Sequence, residues 1–119
     1  MKVKTAELTG AALDWAVAKC EGKDAYCEIH AGNILYGQVT SGFVQFSPST
    51  NWAQGGPIIE REEITVERRM PCMKGEQWGA QGWRAMQNFH TGPTPLTAAM
   101  RCYVASKLSD EVDVPEELV

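Results

Sequence analysis

An uncharged polar segment between Ser47 and Pro57 is the strongest candidate for binding chemistry. It combines hydroxyl and amide side chains with Gly and Pro, and it is predicted to be a connecting segment. Trp52 lies within it, and an indole offers a flat stacking surface as well as an N–H donor. Neutral hydrogen-bonding groups beside an aromatic plane suit a nucleotide-like small molecule, because every base has a π-face. The candidate residues of this segment are Ser47, Ser49, Thr50, Asn51, Trp52 and Gln54.

Arginine side chains could supply the cationic part of the same site. A guanidinium binds phosphate or carboxylate through two parallel N–H bonds, and we expect Arg61, Arg84 and Arg101 to be available for this role. Trp83, next to Arg84 in a second Gly-rich connecting stretch that also holds Trp78, is a further aromatic candidate. A purely structural interpretation stays open, since hydroxyls in turns often bond to the nearby main chain.

The sequence predicts no catalytic set. A hydroxyl nucleophile needs a base that a third group orients, and neither His30 nor His90 has a carboxylate partner at a suggestive spacing. The short signatures of serine hydrolases, zinc proteases and phosphate-binding loops are also missing. A small hydrolase acting through His30 or His90 is therefore the least favoured alternative.

The four cysteines predict buried, reduced thiols rather than a disulfide framework or a metal site. Cys27 and His30 have the spacing of two zinc ligands, but the second ligand pair is missing, so we expect no metal and no cofactor. Charged residues at Lys2 and Lys4 interrupt the apolar stretch that a secretory signal needs. The expected location is the cytoplasm.

Two helices are predicted near the ends of the chain. Thr9 and Gly22 have the residue types of an N-cap and a left-handed stop for a helix over residues 8–22. Thr94 and Pro95 start the second, whose apolar residues recur at helical spacing as far as Leu108. Strands are predicted over residues 26–30, 34–39, 43–46 and 64–68, the second and third forming a hairpin.

These elements predict one α+β domain over residues 1–119. We expect a small antiparallel sheet of three to five strands, flanked by an N-terminal and a C-terminal amphipathic helix. Residues 109–119 form an acidic tail, frayed or docked on the surface; outside it, bases and acids nearly balance without a basic stripe, which argues against duplex nucleic acid. No apolar run is long enough for a membrane span. Trp15, off the main apolar stripe of the first helix, and the short sheet edges favour a homo-oligomer.

Three blocks of the sequence resemble the phage NinX-like family. They are LTGAALDWAVA from Leu8, SPSTNWAQGGPIIE from Ser47 and GPTPLTAAMRCYVASK from Gly92, so the resemblance runs over nearly the whole chain. The family consists of small proteins of unknown function encoded by temperate phages and prophages of enteric bacteria. The resemblance implies expression in the cytoplasm of an infected or lysogenic host, and it implies no activity.

A second resemblance concerns layout. The order of elements is similar to that of small phage proteins that sequester nucleotide immune signals. The first helix ends in Glu21-Gly22-Lys23, and a small sheet and Phe46-Ser47-Pro48-Ser49 follow it. The favoured function is therefore a non-enzymatic phage accessory protein that binds a nucleotide-like small molecule, with sequestration of a host defence signal as its more specific form. The alternative is a protein-interaction module that inhibits or redirects a host or phage protein. That module would use exposed aromatics among Trp15, Tyr26, Trp78 and Trp83.

Overall fold

A computed structural model describes residues 1–23, 27–38, 42–69, 76–82 and 89–119. Within these residues, α1 spans Gly10–Cys20, α2 spans Trp52–Arg61 and α3 spans Pro95–Lys107. Single 3-10 turns lie at Thr5–Glu7 and Glu116–Leu118. The strands are β1 Lys2–Lys4, β2 Cys27–His30, β3 Asn33–Gln38, β4 Gly42–Gln45, β5 Ile64–Arg68, β6 Trp78–Gly82, β7 Phe89–Gly92 and β8 Glu111–Asp113.

The described strands form three small antiparallel sheets, and the predicted α+β class is confirmed. The orders are β1-β8, β2-β3-β4 and β5-β6-β7, so the single sheet of the prediction is divided. The predicted hairpin is present as β3 and β4, with Tyr36 opposite Val44. The predicted strand over residues 64–68 is present as β5. The strands are divided among sheets because each pairs mainly with its neighbours along the chain, as in β2-β3-β4 and β5-β6-β7.

Helix α3 is the centre of the fold rather than a helix with one solvent-facing side. Every residue from Leu96 to Val104 is buried, and the helix packs against α1, α2 and all three strands of the β5-β6-β7 sheet. Its Ala-rich sequence allows this, because small side chains let neighbouring backbones approach from several directions. Thr94 caps it by accepting the Thr97 N–H at 3.1 Å, as its sequence predicts.

Helix α1 also has the predicted ends. Thr9 precedes it and Gly22 follows it with a φ of 70°, a left-handed conformation that favours glycine. The Thr9 side chain makes no capping hydrogen bond, so only its position matches the expectation.

Helix α2 replaces much of the predicted connecting segment, and that interpretation of residues 52–57 is wrong. Asn51 begins the helix by accepting the Ala53 N–H at 2.9 Å. Gly55 lies so close to the Pro48 carbonyl and the Leu96 side chain that a Cβ would overlap both. Tertiary packing of Gly55 and Ile58 thus stabilises a helix whose Gly-Gly-Pro sequence has low intrinsic propensity.

The acidic tail is part of the fold. Its strand β8 pairs with β1 at the other end of the chain, with Val112 opposite Val3, and Val112 and Val114 are buried. Among the described residues, no helix has the length and apolar character needed to cross a bilayer.

Candidate functional site

A cleft lies between α2 and the β3-β4 hairpin. Its volume is about 300 Å³, at the small end of the range of ligand pockets. It is lined by Glu21, Lys23, Tyr36, Val44, Gln45, Phe46, Ala53, Gln54, Pro57, Ile58 and Arg61.

Lys23 and two aromatic rings form the centre of this lining. The turn after α1 carries Lys23 into the cleft, and its N–H bonds to the Ala18 carbonyl at 2.8 Å. Its ammonium nitrogen lies 5.2 Å from the centroid of the Tyr36 ring and 5.6 Å from that of Phe46. Such cation–π contacts position the ammonium and leave its positive charge uncancelled, because the rings carry no net charge.

Gln54 fixes α2 against the end of β4. Its side-chain amide donates to the Gln45 carbonyl at 2.8 Å, and its oxygen accepts the Ser47 N–H at 2.6 Å. These two bonds satisfy one donor and one acceptor of the amide, which carries a second N–H donor. Gln54 is therefore both a structural link and part of the cleft wall.

Arg61 closes the far end of the cleft through a network of ion pairs. Its terminal nitrogens donate to both carboxylate oxygens of Glu21, at 3.2 and 2.7 Å, and its Nε donates to Glu62 at 2.9 Å. Tyr103 of α3 accepts a bond from Arg61 and donates to Glu21. Lys107 lies 3.5 Å from the second oxygen of Glu62.

The pKa values in this network favour full ionisation of both carboxylates. Burial opposes ionisation of Glu21, but hydrogen bonds from Arg61 and Tyr103 outweigh it and hold its pKa below the ordinary value. The bond from Arg61 likewise lowers the pKa of Glu62. Burial and the neighbouring Glu21 carboxylate raise the pKa of Tyr103, so its phenol stays protonated.

The predicted site residues are divided between the two sides of α2. Gln54 and Arg61 face the cleft, whereas Trp52 lies on the other side, because successive helical residues are about 100° apart. The indole, 57% exposed, borders a separate hollow of about 190 Å³. That hollow is lined by Ser49, Thr50, Trp52, Thr94, Pro95 and Leu96.

Three residues of the polar segment between Ser47 and Pro57 form local hydrogen bonds. Asn51 caps α2, the Ser47 carbonyl accepts the N–H groups of Thr50 and Asn51, and the Thr50 hydroxyl lies 3.4 Å from that carbonyl. Buried Ser49 differs, because its N–H donates to the Asp14 carboxylate at 2.8 Å and its hydroxyl interacts with the same carboxylate. Burial raises the pKa of Asp14 to about 6, against the opposing effect of the bond from Ser49.

Arg101 has a structural role inside the fold. Its buried guanidinium donates to the Leu8 carbonyl at 2.7 Å and to the Thr91 carbonyl at 2.8 Å, and it lies 3.6 Å from Glu76. This placement joins the segment before α1 to β7, and it is remote from the lining of the cleft. The remaining two candidates, Trp83 and Arg84, lie outside the described residues.

The described groups among those considered for catalysis and metal binding do not line the cleft. His90 is half-buried, and burial lowers its pKa while nearby Asp110 opposes the shift; the side chain of His30 lies outside the described part. Among the described residues, no three His, Cys, Asp or Glu side chains could together hold a metal ion. Cys20, Cys27 and Cys102 are not in disulfides, and burial raises the pKa of Cys20 to about 12 and of Cys102 to about 11. Cys72 lies outside the described residues.

Sequence reasoning missed the cation and the rings of the cleft. Lys23, Tyr36 and Phe46 come from three separate segments and meet only through the packing of α1 on the hairpin. One local signal existed, because Phe46 directly precedes the polar segment and Lys23 directly follows the Gly22 stop.

Comparison with known proteins agrees with the resemblance of the three sequence blocks. The family model described as Bacteriophage P22, NinX matches residues 4–107, a range that contains every residue lining the cleft. No curated protein matches the chain. A match over most of the chain shows that it belongs to the phage P22 NinX family.

Proposed function

We propose that this protein binds a nucleotide-like small molecule in the cleft between α2 and the β3-β4 hairpin, without converting it. The observation that carries the proposal is the Lys23 ammonium held against the Tyr36 and Phe46 rings. A cation for the phosphate and an aromatic surface for the base are the two recognition elements that a phosphorylated nucleoside requires.

Each part of the ligand has a partner in the cleft. The phosphate binds Lys23, the base packs against the aromatic and apolar wall, and the amides of Gln45 and Gln54 bond to the edges of base or ribose. The volume of about 300 Å³ suits one nucleoside unit rather than two.

The more specific form of the proposal is sequestration of a host defence signal. Sequestration needs affinity and no turnover. This requirement agrees with a cleft whose charged groups bind a ligand or hold neighbouring side chains in place. The proposed setting is the cytoplasm of an infected or lysogenic bacterium, and membership of a phage family supports it.

A thermal-shift screen with cyclic nucleotides and ADP-ribose derivatives tests the binding. A ligand present at a hundred times its Kd should stabilise the protein by about 2.7 kcal/mol. Lys23→Gln should abolish the shift, whereas the control Lys19→Gln, which removes the same charge from α1 outside the cleft, should keep it. Absence of a shift with every ligand at saturating concentration would contradict the proposal.

A protein-interaction module is the second candidate, and the exposure of Trp52 favours it. This indole and Val44, 40% exposed, are large apolar side chains facing solvent on the two elements that form the cleft. Trp15 and Trp78 are half-buried, while Tyr26 and Trp83 lie outside the described residues. Capture of a host protein that Trp52→Ala abolishes and Lys23→Gln preserves would favour this candidate.

Self-association remains part of the proposal. Among the described residues, β2 and β4 are the outer strands of their sheet, and sheet edges are a common site of contact between copies. Light scattering of the purified protein should give a mass above that of one chain; a strictly monomeric mass would contradict this point.

A further inference from the structure

The positive and negative charges of the ionic network at the end of the cleft balance each other. Arg61 and Lys107 provide two positive charges, and Glu21 and Glu62 provide two negative ones, at nitrogen–oxygen distances between 2.7 and 3.5 Å. The lowered pKa values of both carboxylates keep them ionised at neutral pH. The network therefore contributes little net charge to the cleft.

Arg61 also has little hydrogen-bonding capacity left. A guanidinium has five N–H donors, and the bonds to Glu21, Glu62 and Tyr103 use four of them. An incoming phosphate would have to displace Glu21 before it could bind Arg61 through two parallel bonds.

Lys23 is consequently the one charge that the described cleft offers to a ligand. Its ring contacts in the cleft are to the uncharged Tyr36 and Phe46, and the Glu21 carboxylate acts on it through a Coulombic interaction without a direct ion pair among the described residues. The nearest carboxylate in the lining, Glu21, is already bonded to Arg61 and Tyr103.

We infer that the cleft selects a nucleotide with a single phosphodiester charge, such as a 3′,5′-cyclic mononucleotide, over nucleoside mono-, di- and triphosphates. A phosphodiester carries one negative charge, which Lys23 balances. A terminal phosphate carries about 1.5 to 2 charges at neutral pH, and the excess would lie beside the Glu21 carboxylate without a partner. This inference rests on the proposed function and names the ligand class of the same cleft.

Isothermal titration calorimetry with cyclic AMP, AMP, ADP and ATP, and with the four matching guanine nucleotides, tests the inference at constant ionic strength. For the preferred base, the cyclic nucleotide should bind about tenfold more tightly than the monophosphate, and the triphosphate most weakly. An affinity that rises with the number of phosphates would overturn the inference and leave the proposed function standing. No binding by any of the eight, together with no stabilisation in the broader screen, would overturn both.

Glu21→Gln supplies a second test, in which the preference for the cyclic nucleotide should weaken. It removes one negative charge and frees part of the Arg61 guanidinium, so the ratio of cyclic-nucleotide to monophosphate affinity should fall severalfold. The ratio is measured within one variant, which makes it insensitive to partial unfolding. Glu60→Gln, an equal charge change at an exposed α2 residue outside the cleft lining, is the control and should leave the ratio unchanged. An unchanged ratio in Glu21→Gln would contradict the charge argument.

Discussion

Glu21 and Arg61, separated by 40 positions in the sequence, form a two-bond ion pair that joins the residue after α1 to the last turn of α2. The Glu21 side chain is only 13% exposed, whereas that of Arg61 is 50% exposed. Because Tyr103 also bonds to Glu21, the pair connects three helices at one end of the cleft.

Arg61→Gln should destabilise the protein by about 1–2 kcal/mol, because the poorly exposed Glu21 carboxylate loses both of its bonds to the guanidinium and keeps the one from Tyr103. Urea unfolding at neutral pH measures this loss. Arg68→Gln, at an exposed arginine of β5, should cost much less. Equal losses for both would remove the special role of the Glu21 pair.

The stability from this pair should depend on pH in a defined direction. The folded-state pKa of Glu21 lies below its ordinary value of 4.5, so the contribution is complete above pH 4.5 and is lost as the pH falls through the folded pKa. The difference between wild type and Arg61→Gln should therefore shrink in acid. A difference that stays constant to low pH would be inconsistent with this linkage.

Asp14→Asn should stabilise the protein at neutral pH. Burial raises the folded pKa of Asp14 from 3.8 to about 6, so the wild type loses stability as the pH rises between these values. The asparagine is neutral and can still accept the Ser49 N–H through its amide oxygen. We expect a gain on the order of 1–3 kcal/mol above pH 6 that vanishes near pH 4.

Chemical unfolding over this pH range checks the Asp14 prediction. Asp110→Asn removes the same charge from an exposed position and should show no such pH-dependent gain. A loss of stability in Asp14→Asn at neutral pH would mean that the ionised carboxylate is needed in the fold.

Adjacent glycines of α2 should respond in opposite ways to alanine. Gly55→Ala places a Cβ against the Pro48 carbonyl and 2.6 Å from Leu96 Cδ2, and we expect a cost of about 1–3 kcal/mol. At Gly56 the nearest atom is 4.0 Å away, in Trp52, so alanine should add about 0.5–1 kcal/mol through its helix propensity. Thermal unfolding of the two variants measures both, and destabilisation by Gly56→Ala would contradict the packing of α2.

Tyr36→Leu and Trp52→Ala should separate the cleft from the hollow on the other side of α2. Loss of a stacking ring typically costs about 1–3 kcal/mol per base, so Tyr36→Leu should weaken binding of cyclic AMP markedly. Trp52→Ala should leave that affinity unchanged, because the indole does not line the cleft. Calorimetric titration of the two variants with cyclic AMP distinguishes the two locations. The reverse result would indicate that the ligand binds at Trp52.

Local sequence patterns determined the helix ends, the hairpin and the family. Thr94 with Pro95, the Gly22 stop and the strand alternation of residues 64–68 act over one or two turns of chain, and the structure contains each of them. The three sequence blocks sufficed for the family, and all of them lie within residues 4–107, the range that its model matches. These features depend on neighbours along the chain, which a sequence displays directly.

Only the tertiary structure decided where the candidate site lies. Gly55 and Pro57 disfavour a helix locally, and contacts of α2 with Pro48 and Leu96 override that preference. Helical geometry then turns Trp52 away from Gln54 and Arg61, while the packing of α1 on the hairpin brings Lys23 to Tyr36 and Phe46. Contacts between distant segments have no local signature, so residues that recognise a ligand together can be read only after the chain has folded.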